Sequence, residues 1–282
     1  MNALLLISIV LGVAMQDVTK KIYNKKSSAP GVYFFVTLSA LAAAIFFSLT
    51  SGSLSFNTSI IPYSVAFAVA YTTGVVGSVM AIASGPLSLT TLIVSFSLML
   101  PALYGLIFLN DPISIGLFPG LALLAASLVL INKRDAEVKI NPKWVISVIF
   151  AFLGNGFCTI FQKMQQLKFN GNYKNEFMII ALLLTALACL VMTIIKERKI
   201  VKYQSPLCYS LGAACGVMNG AVNLFVMILS GLMPVSLMFP IISAGGIVIT
   251  FIISQVFYKE KLSKPQLIGF ILGTASVILL NI

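Results

Sequence analysis

Long apolar runs alternate along this chain with short clusters of charged and turn-forming residues. Most runs approach the roughly 20 residues that an α-helix needs to cross about 30 Å of hydrocarbon. Prolines and glycines in the intervening clusters favour helix starts and stops at those points. The pattern predicts an all-α membrane protein with ten transmembrane helices, over residues 3–23, 30–50, 60–84, 87–109, 114–132, 144–165, 177–196, 206–230, 234–257 and 264–281.

The composition supports this prediction, because 59% of the 282 residues are hydrophobic and only 9% are charged. With a mean hydropathy of +1.05, the chain cannot enclose a soluble core within a polar surface. No cationic residue precedes Leu4 and no small-residue cleavage site follows Val13, so a secretory signal peptide is not expected. We expect an integral protein of the bacterial inner membrane, with Met1 close to the start of its first span.

The net charge of +11 at pH 7 comes from lysines and arginines that collect between the predicted spans. These residues lack interleaved aromatic side chains on a polar surface, so a nucleic-acid partner is not expected. Loops on one side of the membrane hold 15 of the basic residues, and the other side holds only Lys163, Lys168 and Lys174. Because basic residues are enriched in cytoplasmic loops, the charge distribution predicts that both termini face outward.

The sequence lacks the residue combinations that most catalytic sites require. It has no histidine, which excludes a serine–histidine catalyst, and Asp17 is the only carboxylate deep inside a predicted span, whereas aspartyl proteolysis needs two. The four cysteines show no Cys-x-x-Cys spacing and are interpreted as small buried hydrophobic residues. We predict no enzymatic activity, catalytic residue, cofactor or metal site.

The second half of the chain repeats the first. The segment FLNDPISIGLFPGLALLAASLVLIN, residues 108–132, aligns without a gap on FYKEKLSKPQLIGFILGTASVILLN, residues 257–281, at an offset of 149. Weaker matches upstream place Lys21 on Lys163 and Ser84 on Ser230. We predict five-helix repeats over residues 1–135 and 136–282. An odd number of helices makes the second repeat enter the membrane from the opposite side, so the two repeats are inverted, as in secondary transporters that work by alternating access.

The end of each repeat resembles a known family. KEKLSKPQLIGFILGTASVILL and NDPISIGLFPGLALLAASLVLI are similar to the closing helix pairs of EamA-like members of the drug/metabolite transporter superfamily. This resemblance implies ten helices, of which the first, third, fourth, sixth, eighth and ninth surround the transport pathway. It also implies cytoplasmic termini, contrary to the charge distribution. Small multidrug members of the superfamily carry a first-helix glutamate eight residues before a lysine, and here Val13 stands at that position before Lys21.

Two faces of the first helix compete for the pathway. One face carries Gly12, Gln16 and Lys20, and the other carries Val13, Asp17 and Lys21, because residues four apart share a helix face. The second face maps onto Asn155, Thr159 and Lys163 at an offset of 142 and is favoured because polarity recurs there. The alternative is that Asp17 pairs locally with Lys20 or Lys21 at the helix end.

Polar residues in other spans complete the candidate pathway. Asn219 and Asn223 lie four residues apart in an apolar helix, where each carboxamide needs a hydrogen-bond partner, water or a solute. A stripe of Gly212, Gly216 and Gly220 in the same helix is interpreted as a packing surface. The predicted pathway residues are Gln16, Asp17, Lys21, Tyr71, Thr73, Ser95, Asn155, Thr159, Asn219, Asn223 and Ser243.

Together these features predict a carrier for a small polar organic solute, with export of a metabolite or amino acid favoured over uptake. Coupling to protons or to a counter-solute is expected, and the oligomeric state is left open. A membrane scaffold or receptor is the alternative class, but it leaves the inverted repeat unexplained.

The charge distribution gives a direct test of orientation. A cysteine added after Ile282, in a variant without the four native cysteines, should react with a membrane-impermeant reagent in intact cells, because both termini are expected outside. Labelling only after the cells are broken would show that the termini are cytoplasmic, as the family resemblance implies.

Overall fold

The structure is a computed structural model. It describes residues 2–27, 31–84, 93–94, 97, 99–110, 115–131, 142–202, 204–234, 237–239, 241–242, 245–246, 249 and 264–279. Within the first of these ranges, Asp17 and Lys21 are described in their main chain only.

Every regular element in the described part of the chain is helical. The helices are α1 (Asn2–Lys26), α2 (Val32–Thr50), α3 (Ile61–Ser84, preceded by a 3₁₀ turn at Thr58–Ile60), α4 (Met99–Phe108), α5 (Leu117–Ile131), α6 (Pro142–Lys168), α7 (Lys174–Met192), α8 (Pro206–Leu232) and α9 (Lys264–Leu279). Helix α7 continues through a π-helical segment (Thr193–Glu197) and one further turn (Arg198–Val201).

Six of the described helices, α1, α2, α3, α6, α7 and α8, are long and apolar enough to cross a membrane. They match the first, second, third, sixth, seventh and eighth predicted spans, which confirms an all-α membrane protein. The described helices α4, α5 and α9 lie within the fourth, fifth and tenth predicted spans and are shorter. Most of the ninth predicted span, 234–257, lies outside the described residues, so the total of ten helices stays a prediction.

Small residues allow α3 and α6 to pack very closely. A Cβ atom added to Gly74 would lie 2.9 Å from the main-chain nitrogen of Asn155, and one added to Gly154 would overlap the main chain of Gly74. A Cβ atom added to Gly77 would lie 2.8 Å from the main-chain nitrogen of Ala151. Close backbone approach of this kind maximises van der Waals contact where lipid supplies no hydrophobic driving force.

The glycine stripe on α8 packs against α2, as the sequence interpretation proposed. Added Cβ atoms at Gly212 and Gly220 would lie 2.9 Å from a Leu38 side-chain atom and 2.7 Å from a Phe46 ring atom. Gly216 faces the main chain of Ser39. The stripe is therefore a helix-packing surface.

Helices α5 and α9 are joined by two serine hydrogen bonds. The Ser127 hydroxyl donates to the Gly269 carbonyl at 2.6 Å, and the Ser276 hydroxyl donates to the Gly120 carbonyl at 2.8 Å. Both serines are fully buried. Each bond satisfies a hydroxyl that would otherwise stand unpaired in an apolar contact.

Two carboxylates hold the ends of α2 and α7 together. Glu197 accepts hydrogen bonds from the main-chain N–H groups of Tyr33 and Phe34, at 3.1 and 2.8 Å. These N–H groups lie in the first turn of α2, where no intrahelical acceptor exists and the helix dipole favours negative charge. At the opposite end of the pair, Glu176 accepts from the Ser55 N–H at 2.7 Å. The π-helical segment precedes the capping contact and ends at Glu197 itself.

The close contact between α3 and α6 can be tested with one methyl group. Gly154→Ala should lower the thermal midpoint of unfolding in detergent, because overpacking a dense contact costs about 1–3 kcal/mol. The fluorescence of Trp144, the only tryptophan, reports the transition. Gly52→Ala is the control, since nothing lies within 4 Å of its added Cβ. Equal midpoints for Gly154→Ala and the wild type would contradict the close approach.

Candidate functional site

Five polar side chains from α1, α3, α6 and α8 form one connected hydrogen-bond network, which we call the central amide network. Tyr71 Oη donates to Asn219 Oδ1 at 2.9 Å, and Asn219 Nδ2 donates to Gln16 Oε1 at 3.0 Å. Asn223 Nδ2 donates to Asn219 Oδ1 at 3.0 Å. Gln162 Nε2 donates to Asn223 Oδ1 at 2.7 Å, which brings α6 into the network.

Two members of the network, Asn219 and Tyr71, lie about halfway along their helices. Asn219 is the middle residue of α8 (Pro206–Leu232), so about 20 Å of helix extends to either side at 1.5 Å per residue. Tyr71 stands close to the middle of α3 (Ile61–Ser84). Solute sites of secondary transporters are typically found at this depth.

Burial makes these contacts energetically important. Gln162 is 1% exposed and Gln16 is 6% exposed. Leaving such a buried group without its partner costs about 1–3 kcal/mol, since burial limits its access to bulk water. Asn219 is the centre of the network, because its carbonyl oxygen accepts from both Tyr71 and Asn223.

Four of the predicted pathway residues, Gln16, Tyr71, Asn219 and Asn223, therefore come together. The face of α1 that the sequence analysis ranked second lies against α8. Gly12 packs on Val222, and Gln16 reaches Asn219. The side chains of Asp17 and Lys21 are outside the described atoms, so their place in the pathway stays a prediction, and Ser95 and Ser243 lie outside the described residues altogether.

Asn155 and Thr159 lie on α6 but make separate contacts. Asn155 Nδ2 donates to the hydroxyl of Ser97, which is fully buried, at 2.7 Å. The Thr159 hydroxyl donates to the Gly156 carbonyl of its own helix at 2.8 Å. Asn155 thus connects α6 to the segment that precedes α4.

Thr73 occupies a different surface of α3 from Tyr71. Its hydroxyl donates to the Val69 carbonyl at 2.7 Å. Its side chain lines a shallow, mostly apolar cleft of about 180 Å³ formed by α2, α3 and α6. Thr72, Ser147 and Phe150 line the same cleft. The structure does not bring Thr73 into the central amide network.

The sequence analysis missed Gln162, Ser97 and the burial of Lys163. The sequence did contain a signal for Gln162 and for the burial of Lys163. It is a group of four polar residues within one and a half helical turns of an otherwise apolar segment: Gln162, Lys163, Gln165 and Gln166. All four are buried. Ser97 had no comparable signal beyond its position two residues after Ser95.

The described residues contain no group of three metal-ligating side chains. The cysteines Cys158, Cys189, Cys208 and Cys215 are free and buried. Neutral amide and hydroxyl groups are therefore the chemistry that the described site offers, as donors and acceptors of hydrogen bonds.

Residues 142–282, half of the chain, match the family model described as the EamA-like transporter family. The chain belongs to the EamA-like transporter family. Members of this family, within the drug/metabolite transporter superfamily, are membrane transporters of small solutes, which fits the polar network inside an apolar bundle. No curated protein sequence matches the chain.

A solved structure supports the fold of this EamA-like chain. The crystal structure of another protein aligns over 100% of this chain and 98% of that protein's chain, with a TM-score of 0.81. The two sequences are 13% identical, so this likeness concerns the fold alone.

A double-mutant cycle tests the centre of the network. Tyr71→Phe and Asn219→Ala should each lower the free energy of unfolding, and their effects should be coupled by about 1 kcal/mol because they share one hydrogen bond. Tyr63→Phe, on the same helix, is the control in the cycle with Asn219→Ala. Additive effects for Tyr71 and Asn219 would show that the bond contributes nothing to stability.

Proposed function

We propose that this protein is a secondary active transporter that moves a small polar organic solute by alternating access, with export of a metabolite or amino acid as the favoured direction. The observation that carries the proposal is the central amide network, which joins helices from both halves of the chain near the middle of α3 and α8. A buried to half-buried set of neutral donors and acceptors suits a polar solute that exchanges hydrogen bonds with the protein.

Contacts between the halves support an inverted repeat. Ser127 and Ser276 differ by 149 positions, and so do Gly120 and Gly269, which is the offset of the sequence repeat. Each serine bonds the repeat mate of the glycine that the other serine bonds. Reciprocal contacts of this kind arise when a two-fold axis relates two surfaces.

The helix pairs follow the same rule. Helix α3 packs on α6, and α1 packs on α8. In the proposed repeat α3 matches α8 and α6 matches α1, so replacing each helix of the first pair by its repeat mate gives the second pair. The pair α2 and α8 exchanges with the pair α7 and α3. Two halves with matching contacts have two equivalent arrangements around a central site, which is the basis of alternating access.

The network also suggests how a solute is recognised. The Asn219 carbonyl oxygen already accepts two hydrogen bonds, so a solute that binds it must replace Tyr71 or Asn223 as donor. A solute amino or hydroxyl group meets this need. An apolar solute that displaced Tyr71 or Asn223 could not replace the lost hydrogen bond, which disfavours its binding.

Asp17 is the proposed coupling residue. Asp17 follows Gln16 in α1, so its Cα is rotated by about 100° around the helix axis from the Cα of Gln16. Gln16 is the α1 residue that bonds Asn219. Ionisable residues inside membrane spans commonly belong to ion or substrate pathways. In this proposal the Asp17 carboxylate takes a proton or the ammonium group of a cationic solute.

Counterflow in proteoliposomes tests transport directly. The solute is first found by a thermal-shift screen of the purified protein against metabolite classes, since a ligand of the folded state stabilises it. Labelled solute should then exchange into preloaded vesicles, and Asn219→Ala should weaken apparent affinity about tenfold, the equivalent of one lost hydrogen bond of about 1.4 kcal/mol. Ser210→Ala, an exposed position on the same helix, should leave exchange unchanged. Ligand binding without any exchange would favour a receptor.

Asp17→Asn separates the two roles of the carboxylate. If Asp17 couples protons, the variant loses proton-driven accumulation and keeps exchange, because it retains the shape and loses the titration. If Asp17 binds a cationic solute, accumulation and exchange fall together. Unchanged transport, affinity and pH dependence would remove Asp17 from the pathway and leave it as a local partner of the helix-end lysines.

A further inference from the structure

The cleft formed by α2, α3 and α6, which we call the outer cleft, lies on the outside of the bundle. Met80 and Phe150 line it and are 38% and 51% exposed. Thr73 of the cleft and Tyr71 of the central amide network are two residues apart on α3, so they point about 200° apart around the helix axis. The outer cleft therefore faces away from the network, toward the bilayer.

Small residues on α3 create the recess. Gly77 has no side chain, because a Cβ atom there would lie 2.8 Å from the main-chain nitrogen of Ala151 on α6. The lining residues of α3 extend from Thr72 to Met80, about 12 Å at 1.5 Å per residue. The outer cleft thus runs along the helices, in the direction in which the acyl chains of a bilayer lie.

Three hydroxyl groups in the outer cleft are already engaged as donors. Those of Thr73 and Ser147 each donate to the main-chain carbonyl four residues earlier in their own helix, at 2.7 and 2.8 Å. The Thr72 hydroxyl donates to the Thr185 hydroxyl of α7 at 3.2 Å. Because these protons are used inside the protein, the mostly apolar cleft suits an apolar chain better than a polar solute.

A cation stands beside the outer cleft. Lys196 Nζ lies 5.7 Å from the centre of the Tyr33 ring, a distance at which a cation and an aromatic face attract each other. Tyr33 lines the cleft and is the second residue of α2. Lys196 is exposed and follows Ile194 and Ile195, which are 57% and 69% exposed. This change from apolar to basic side chains marks the level at which α7 leaves the hydrocarbon.

The π-helical segment of α7 sets the position of this cation. Glu197 accepts a hydrogen bond from the Tyr33 N–H at 3.1 Å, while the adjacent Lys196 covers the Tyr33 ring. Glu197 is 6% exposed, so its negative charge is turned toward α2 and away from the surface. The exposed side chains that follow it include three basic ones: Arg198, Lys199 and Lys202. The surface at this end of α7 is therefore positively charged.

We propose that the outer cleft binds one phospholipid with an anionic headgroup, with an acyl chain in the cleft and the phosphate at Lys196. Basic clusters next to a membrane span attract anionic lipids. A soluble anion would use the charge of Lys196 and gain nothing from the apolar cleft, whereas a lipid uses both. The site lies apart from the central amide network, so the inference does not depend on the proposed transport function.

Native mass spectrometry tests this lipid site. The protein, purified free of lipid in detergent, is offered equal amounts of phosphatidylglycerol and phosphatidylcholine with identical acyl chains. The wild type should retain one phosphatidylglycerol in preference, because only this lipid carries a net negative charge. Lys196→Met should lower the preference about fivefold, the loss expected for one basic residue near an anionic lipid. Lys196→Arg keeps the charge and should keep the preference.

Matched variants separate the site from general effects of charge and bulk. Lys168→Met removes the charge of an exposed lysine at the end of α6 and should leave the preference unchanged. Val76→Phe fills the outer cleft and should weaken retention of phosphatidylglycerol. Val69→Phe adds the same bulk at a position of α3 that is 64% exposed and outside the cleft, and should not weaken it. Lys196→Met and Lys168→Met should unfold at the same temperature without lipid, which separates lost binding from lost folding.

Thermal unfolding distinguishes a lipid from a soluble anion. Phosphatidylglycerol should raise the unfolding midpoint of the wild type, since a ligand of the folded state stabilises it, and inorganic phosphate should not. An equal rise with inorganic phosphate that disappears in Lys196→Met would replace the lipid by a soluble anion and overturn the proposal. Equal retention of both lipids by the wild type, or the same loss of preference in Lys168→Met, would also overturn it. Counterflow is not part of this test, so either result leaves the proposed transport function standing.

Discussion

A polar group that enters the hydrocarbon region must find its hydrogen-bond partner inside the protein, and this constraint organises the whole structure. Many hydroxyl groups meet it within their own helix. Thr19, Thr37 and Ser48 each donate to the carbonyl four residues earlier in their own helix. Carboxamides have more donors and acceptors than one helix can satisfy, so Asn219 and Gln162 must bond residues of other helices. Because these side chains need hydrogen-bond partners, α1, α3, α6 and α8 all contribute side chains to the central amide network.

Helix ends obey the same constraint with charged groups. The first N–H groups of α2 are bonded by Glu197, and the last turn of α8 is bonded by Lys163. Each charge lies at the helix end whose dipole it complements. The two contacts tie α7 to α2 and α6 to α8, so the ends of the bundle are defined by ionisable residues and its middle by neutral amides.

Glycine contacts determine where the amides meet. The approach of Gly74 to Gly154 fixes α3 against α6, and Gly216 fixes α8 against α2. With the helices held at these contacts, Tyr71 and Asn219 lie within hydrogen-bond distance. The packing residues thus position the polar ones, as rigid helices generally position the side chains that they carry.

Much of this organisation follows from the sequence, because the thickness of the bilayer sets the length of an apolar run and the energetic cost of a buried amide marks Asn219 and Asn223. The ends of the two repeats resemble those of EamA-like transporters, which identified the family. The four-residue spacing of Gly212 and Gly216 identified a packing surface. Only the tertiary structure decided that Gln16 meets Asn219 while Thr73 lies on a different surface. Gln16 and Asn219 are 203 residues apart, and their contact depends on the rotation of α1 about its own axis. That rotation is set by packing against neighbouring helices, which no local spacing along the chain encodes.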